Sequence, residues 1–237
     1  MAEHLNLQTG LWETETDFVE PTLTLDEIAS AAQLVEAGNI NTTDPTGWVI
    51  DQAQKVVQRV KLLHEQGLDF TDPGILIGFS EEALSIDALL EVMDSRGLLC
   101  RGKTNHDDYI KGFQKRQKLR ASGGVLLVDR QMQMRGQAQD TMAERVAATS
   151  QKITGAVKGL TAIQLGVVPT LQLYNQSVTV RQEMRGLATY TPDITADGDA
   201  ASVFDWSRIG QAHVNVWAGF GNPGIGSRVA VVEKAQV

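Results

Sequence analysis

Cysteine occurs once in 237 residues, at Cys100. A single thiol excludes an intrachain disulfide framework and a zinc cluster built on cysteines. Aromatic residues are scarce, at 5%, which points to aliphatic packing rather than to an aromatic-rich β-sandwich. No window holds 18 uninterrupted apolar residues, so no membrane span is predicted. The first ten residues, MAEHLNLQTG, carry neither a basic start nor an apolar stretch, and predict no secretory signal. Lysine and arginine are absent from residues 1–54, which hold ten acids.

What is present is unevenly placed. The net charge is −8, yet residues 101–185 hold fourteen bases against six acids. Such segregation points to an electrostatic partner for at least one of the two segments. Apolar residues reach 42%, enough for a folded core in one large domain or two small ones.

Helix signals dominate the first half. Thr24 and Glu27 read as a capping box, followed by Leu25, Ile28, Ala32 and Val35 at helical spacing and a stop at Gly38. Asp44-Pro45 reads as an N-cap and first helical position, with Val49, Val56, Val60 and Leu63 on one stripe and a stop at Gly67. A short strand is predicted over 75–79. Ser80 or Ser85 starts a third helix that ends near Gly97, and Thr104 or Asn105 starts a fourth through HDDYIKGFQKRQKLR. Met142, Val146, Thr149, Ile153, Ala156, Leu160, Ile163 and Val167 then step by four and three, a heptad seam. Pro169 is expected to kink or end it. The expected fold is mainly α: a helical bundle with one long central helix, an extended N-terminal arm and an irregular or short-β C-terminal tail. Its divisions are an acidic arm over 1–22, a small helical domain over 23–122, a long helix or helical hairpin over 123–188 and an extended tail over 189–237.

Several motifs invite a chemical reading. Gly219, Gly221 and Gly224 match G-x-G-x-x-G after the strand-like HVNVW. A dinucleotide loop needs a following helix and an acid about 20 residues on. Here Pro223 interrupts, and VAVV after the loop reads as strand. The stretch also mimics a kinase glycine loop but lacks the downstream catalytic segments. The glycines are read instead as shaping a hairpin or letting a tail lie flat against a neighbour. The four histidines show no i, i+3 or i, i+4 pair, and NHDD at 105–108 reads as a helix start rather than a metal site. Cys100 with His64 or His106 is a weaker nucleophile–base combination than packing explains. Gly155 and Gly159 form G-x-x-x-G, but Lys158 between them argues for close helix packing over lipid contact across 153–173. No catalytic residue, metal ligand or cofactor is assigned, and no small-molecule substrate.

Two groups are candidates for contact. Lys111, Lys115, Arg116, Lys118 and Arg120 form a basic run suited to an acidic protein surface or to nucleic acid. Trp12, Phe18, Val146, Ile153, Leu160, Val167, Trp206 and Trp217 are candidate subunit-interface residues. An acidic arm, a long helix and an aromatic-bearing tail suit a subunit completed by its neighbours. This organisation resembles, in general character, phage virion proteins: head–tail adaptors, connector-ring subunits and internal proteins ejected with the genome. The expected function is a non-enzymatic structural subunit of a large homo-oligomer, contacting copies of itself and other subunits, in a virion or the cytoplasm. The alternative is a soluble helical nucleic-acid-binding or regulatory protein using residues 111–120.

Overall fold

The architecture is that of a computed structural model, which describes residues 3–6, 12–14, 20–38, 40–69, 72–78, 84–100, 124–194, 200–205, 210–217 and 223–233. It is not a mainly helical bundle. Helices share the core with one antiparallel and two mixed sheets, and no long central helix is present among the described residues.

The helix starts follow local chemistry. α1 (Leu25–Ala37) has the capping box, with the Glu27 N–H donating to Thr24 Oγ1 at 3.2 Å and the Thr24 N–H to Glu27 Oε2 at 2.9 Å. α2 (Pro45–Glu65) begins with the Gly47 N–H on Asp44 Oδ1 at 2.9 Å. α3 (Ile86–Ser95) is capped by Ser85. Leu34, Val56, Leu63 and Leu89 are fully enclosed, but Leu25, which the spacing placed on the first stripe, is 85% exposed and Ile28 is half-buried.

The heptad seam does not form. α4 (Gln139–Ala156) stops, Gly159 turns the chain at φ 88°, and β6 (Leu160–Gln164) follows. α5 (Val167–Gln176) and the short α6 (Val178–Glu183) come next. Pro169 sits in the first turn of α5, where its missing N–H costs nothing. The 153–173 stretch is thus split over a helix, a strand and a second helix. No helix among the described residues is long and apolar enough to cross a membrane.

Non-local pairing overrides the helical pattern. β4 (Pro73–Gly78), β5 (Gly124–Asp129), β11 (Val229–Glu233) and β6 form one antiparallel sheet in the order β4-β5-β11-β6. β11 pairs with β6 from Val229↔Gln164 to Glu233↔Leu160. The expected extended tail therefore supplies an interior strand. It also supplies most of a second sheet, β10-β7-β8-β9, from β7 (Ala188–Ile194), β8 (Ala200–Asp205), β9 (Ala212–Trp217) and β10 (Ile225–Ser227). A third, small sheet joins β1 (Glu3–Asn6), β2 (Trp12–Thr14) and β3 (Leu68–Asp69) in the order β2-β1-β3. Within the N-terminal arm β1 therefore pairs both with β2 and with β3 of the same chain.

α5 lies between the two larger sheets, touching β4 of one and β7, β8 and β9 of the other. Every residue from Val167 to Gln176 is buried. Each enclosed Val or Leu contributes about 1.5–3 kcal/mol, but the polar residues and both helix ends need partners. The Val167 N–H donates to Asp193 Oδ2 at 2.5 Å. Gly166 leaves room for that carboxylate, since a Cβ would lie 3.0 Å from Asp193 Oδ2. Gln176 completes the outer edge of β4: its Oε1 accepts from the Ile77 N–H at 3.1 Å and its Nε2 donates to the Ile75 carbonyl at 2.8 Å. One carboxamide thus stands in for the next strand.

Candidate functional site

β5 delivers the chain to a buried Asp129, whose Oδ1 accepts from the Gln131 N–H at 3.0 Å. This turn bends the chain out of the sheet. The loop over 130–137 then returns to β10. Gln133 and Ser227 exchange both backbone hydrogen bonds at 2.8 Å, and the Gly136 N–H reaches the Ile225 carbonyl at 3.0 Å. The path requires φ 55° at Met134 and φ 75° at Gly136. A methionine in the left-handed region is held there only by its surroundings. Gly226 packs so closely that a Cβ would lie 2.6 Å from the Gln133 carbonyl oxygen. The close approach of Gly226 is thus to the loop of its own chain rather than to a neighbour, while Gly219 and Gly221 lie outside the described residues.

A cleft of about 550 Å³ opens beside this loop, lined by Asp72, Arg130, Gln131, Met132, Met134, Arg135, Thr179 and Glu183. Its charges bind one another. Arg130 donates through Nε and Nη2 to Asp72 Oδ1 at 3.1 and 2.7 Å, with Glu27 Oε1 3.9 Å from its Nη1. Glu183, on α6, accepts from the Met132 N–H at 2.6 Å and from Arg135 Nη2 at 3.1 Å. Its second oxygen takes Nη2 of Arg228, and Nη1 of Arg228 donates to the Arg130 carbonyl. Arg228 is fully buried between β10 and β11. Burial pulls its proton affinity down, while Glu183 and Asp129 oppose that pull. A guanidinium with these partners remains charged.

Three parts of the molecule meet in this network: α6, the 130–137 loop and the β10–β11 junction. Every charged group lining the cleft is engaged with another. The arrangement clamps the end of the chain onto its middle. No family model, no curated protein and no solved structure matches the chain.

The sequence-derived candidates lie elsewhere. Lys111, Lys115, Arg116, Lys118 and Arg120 fall outside the described residues, as do Phe18 and Trp206. Trp12 lies on β2 and Trp217 ends β9. Val146, Ile153, Leu160 and Val167 are all buried within the single chain, on α4, β6 and α5, rather than along one helical seam. Cys100 is partly buried, with its N–H on the Ala212 carbonyl at 2.9 Å. Of the histidines, His64 lies in the last turn of α2 and His213 is buried on β9. The NHDD segment lies outside the described residues, among which no group of three or more metal-ligating side chains occurs. Sequence reading missed Arg130, Glu183 and Arg228. The only local sign was a lone arginine between two strand-like runs, GIGS and VAVV.

Proposed function

We propose that the chain is a non-enzymatic structural subunit of a large homo-oligomeric assembly, and that the N-terminal hairpin is its coupling element. The observation that carries this reading is the edge of the smallest sheet. β3 has two residues, β2 three and β1 four, and so short a sheet is marginal in water by itself. No described strand pairs with the outer edge of β2. An open strand edge is a template for another chain. The acids of 1–54 disfavour pairing with an identical edge, because like charges would meet. A basic segment of a neighbouring copy suits it instead, and residues 101–185 carry a balance of +8. Such a contact is head-to-tail, which generates rings or filaments.

The internally paired cleft supports the same reading, because its charged groups serve cohesion. In this proposal the assembly is a virion component, a head–tail connector or adaptor or an internal ejected protein, found in the virion or in the infected cytoplasm. The virion assignment rests on the general resemblance in character alone. Deleting residues 1–22 tests the coupling role. The expected result is loss of assembly with far-ultraviolet circular dichroism unchanged over the helices. Retained assembly in the truncated chain would remove the hairpin from the interface. Retention on DNA that is lost when Lys111, Lys115 and Lys118 become Glu would favour the nucleic-acid reading instead.

A further inference from the structure

The C-terminal end of the buried helix α5 is met by two arginines from different elements. Arg96 follows α3 and donates through Nη1 to the Asn175 carbonyl at 2.8 Å and to Asn175 Oδ1 at 2.9 Å. Arg181 lies on α6 and donates through Nη1 to the Tyr174 and Asn175 carbonyls at 2.9 and 2.8 Å. Both therefore converge on one carbonyl oxygen. Capping a helix C-terminus explains one nitrogen of each. It leaves Nε and Nη2 of both guanidiniums without an acceptor among the described residues, and each residue is partly open to solvent. No carboxylate among the described residues forms an ion pair with either, in contrast to Arg130, Arg135 and Arg228.

A second observation points the same way. Asn175 is fully buried, its Oδ1 is taken by Arg96, and its Nδ2 has no partner. A buried amide donor without an acceptor costs about 1–3 kcal/mol. The cluster thus offers two partly open cations with unused hydrogen-bonding capacity beside a buried amide donor that lacks a partner. We propose that Arg96, Arg181 and Asn175 form a binding site for a phosphate group.

A carboxylate fits this site less well. It has two oxygens and one charge, which a single guanidinium satisfies. Donors arriving from two elements suit a group with more acceptor oxygens and close to two negative charges. Burial and then Arg181 lower the proton affinity of Arg96, with Asp26 opposing. Burial likewise lowers that of Arg181, against Tyr174, Asp26 and Glu27. A bound dianion relieves the repulsion between the two guanidiniums. None of the three residues lines the cleft at Glu183, and the inference is independent of the assembly reading.

The test is the thermal midpoint of the full chain titrated with inorganic phosphate, with chloride holding the ionic strength constant. The expected result is a rise that saturates, as binding to one folded-state site requires. In Arg96→Gln and Arg181→Gln the apparent dissociation constant should weaken about tenfold or more, the value of one charge-assisted hydrogen bond. Should either glutamine variant fail to fold, Arg96→Lys and Arg181→Lys keep a cation at the carbonyls but lose the fork, and are expected to weaken binding likewise. Glycerol phosphate distinguishes the source: saturation equal to that of inorganic phosphate indicates a phosphate ester, and saturation by inorganic phosphate alone indicates the free ion. A rise that never saturates and is the same in wild type and variants is general salt stabilisation, and overturns the proposal. Equal saturation by acetate overturns the phosphate assignment.

Discussion

Glu183 accepts from the Met132 N–H and from two arginines, and one of these, Arg228, has no contact with water. Removing the carboxylate leaves a buried cation without its counter-charge. Glu183→Leu is therefore expected to cost about 3–5 kcal/mol in urea unfolding. Adding Arg228→Met to that variant should recover much of the loss, because the charge requiring a partner is gone. A double variant no better than Glu183→Leu would show that the pair does not act as a unit. Neither residue announces this role in the sequence. Glu183 stands in a polar helical run and Arg228 follows a glycine-rich loop, 45 positions apart. The contact exists only because β11 enters the sheet beside β5.

At the scale of elements, the buried helix α5 depends on partners brought from other strands. Gln176 satisfies Ile75 and Ile77 of β4. Gln176→Leu should leave two buried backbone groups unpaired, at about 1–3 kcal/mol each, read as a lower urea midpoint. Asp193 gives a pH signature. Its burial raises its proton affinity, against the hydrogen bonds from Val167 and Thr191. The folded chain then holds this proton more tightly than the unfolded chain does. The stabilisation is full below the ordinary carboxylate range and is lost as pH rises through the raised value. Asp193→Asn keeps an acceptor for the Val167 N–H but cannot ionise. The thermal midpoint of wild type relative to Asp193→Asn should fall as pH rises from about 4 to about 8. A constant difference would contradict the role of burial.

Much at this scale was legible locally. Thr24 with Glu27, Asp44 with Pro45, and Ser85 each begin a helix as their side-chain chemistry requires. The strands at 73–78, 212–217 and 229–233 show as short apolar or alternating runs. The seam from Met142 to Val167 misled because Leu160, Ala162 and the β-branched Thr161 and Ile163 fit a strand as well as a helix. The choice was made by β11, about 70 residues later in the chain, which periodicity cannot see. Gly159 at φ 88° was the one local sign of the break.

At the scale of the whole molecule, the reading rests on segregated charge and an open acidic edge. Acidic residues 1–54 and basic residues 101–185 attract across copies, and that attraction weakens as salt shortens the screening length to about 8 Å at 0.15 M. Light scattering on a sizing column, at low and high salt, tests the account most directly. The account predicts a discrete multimer of many subunits that high salt loosens. A 25.8 kDa monomer at every salt and protein concentration would contradict it.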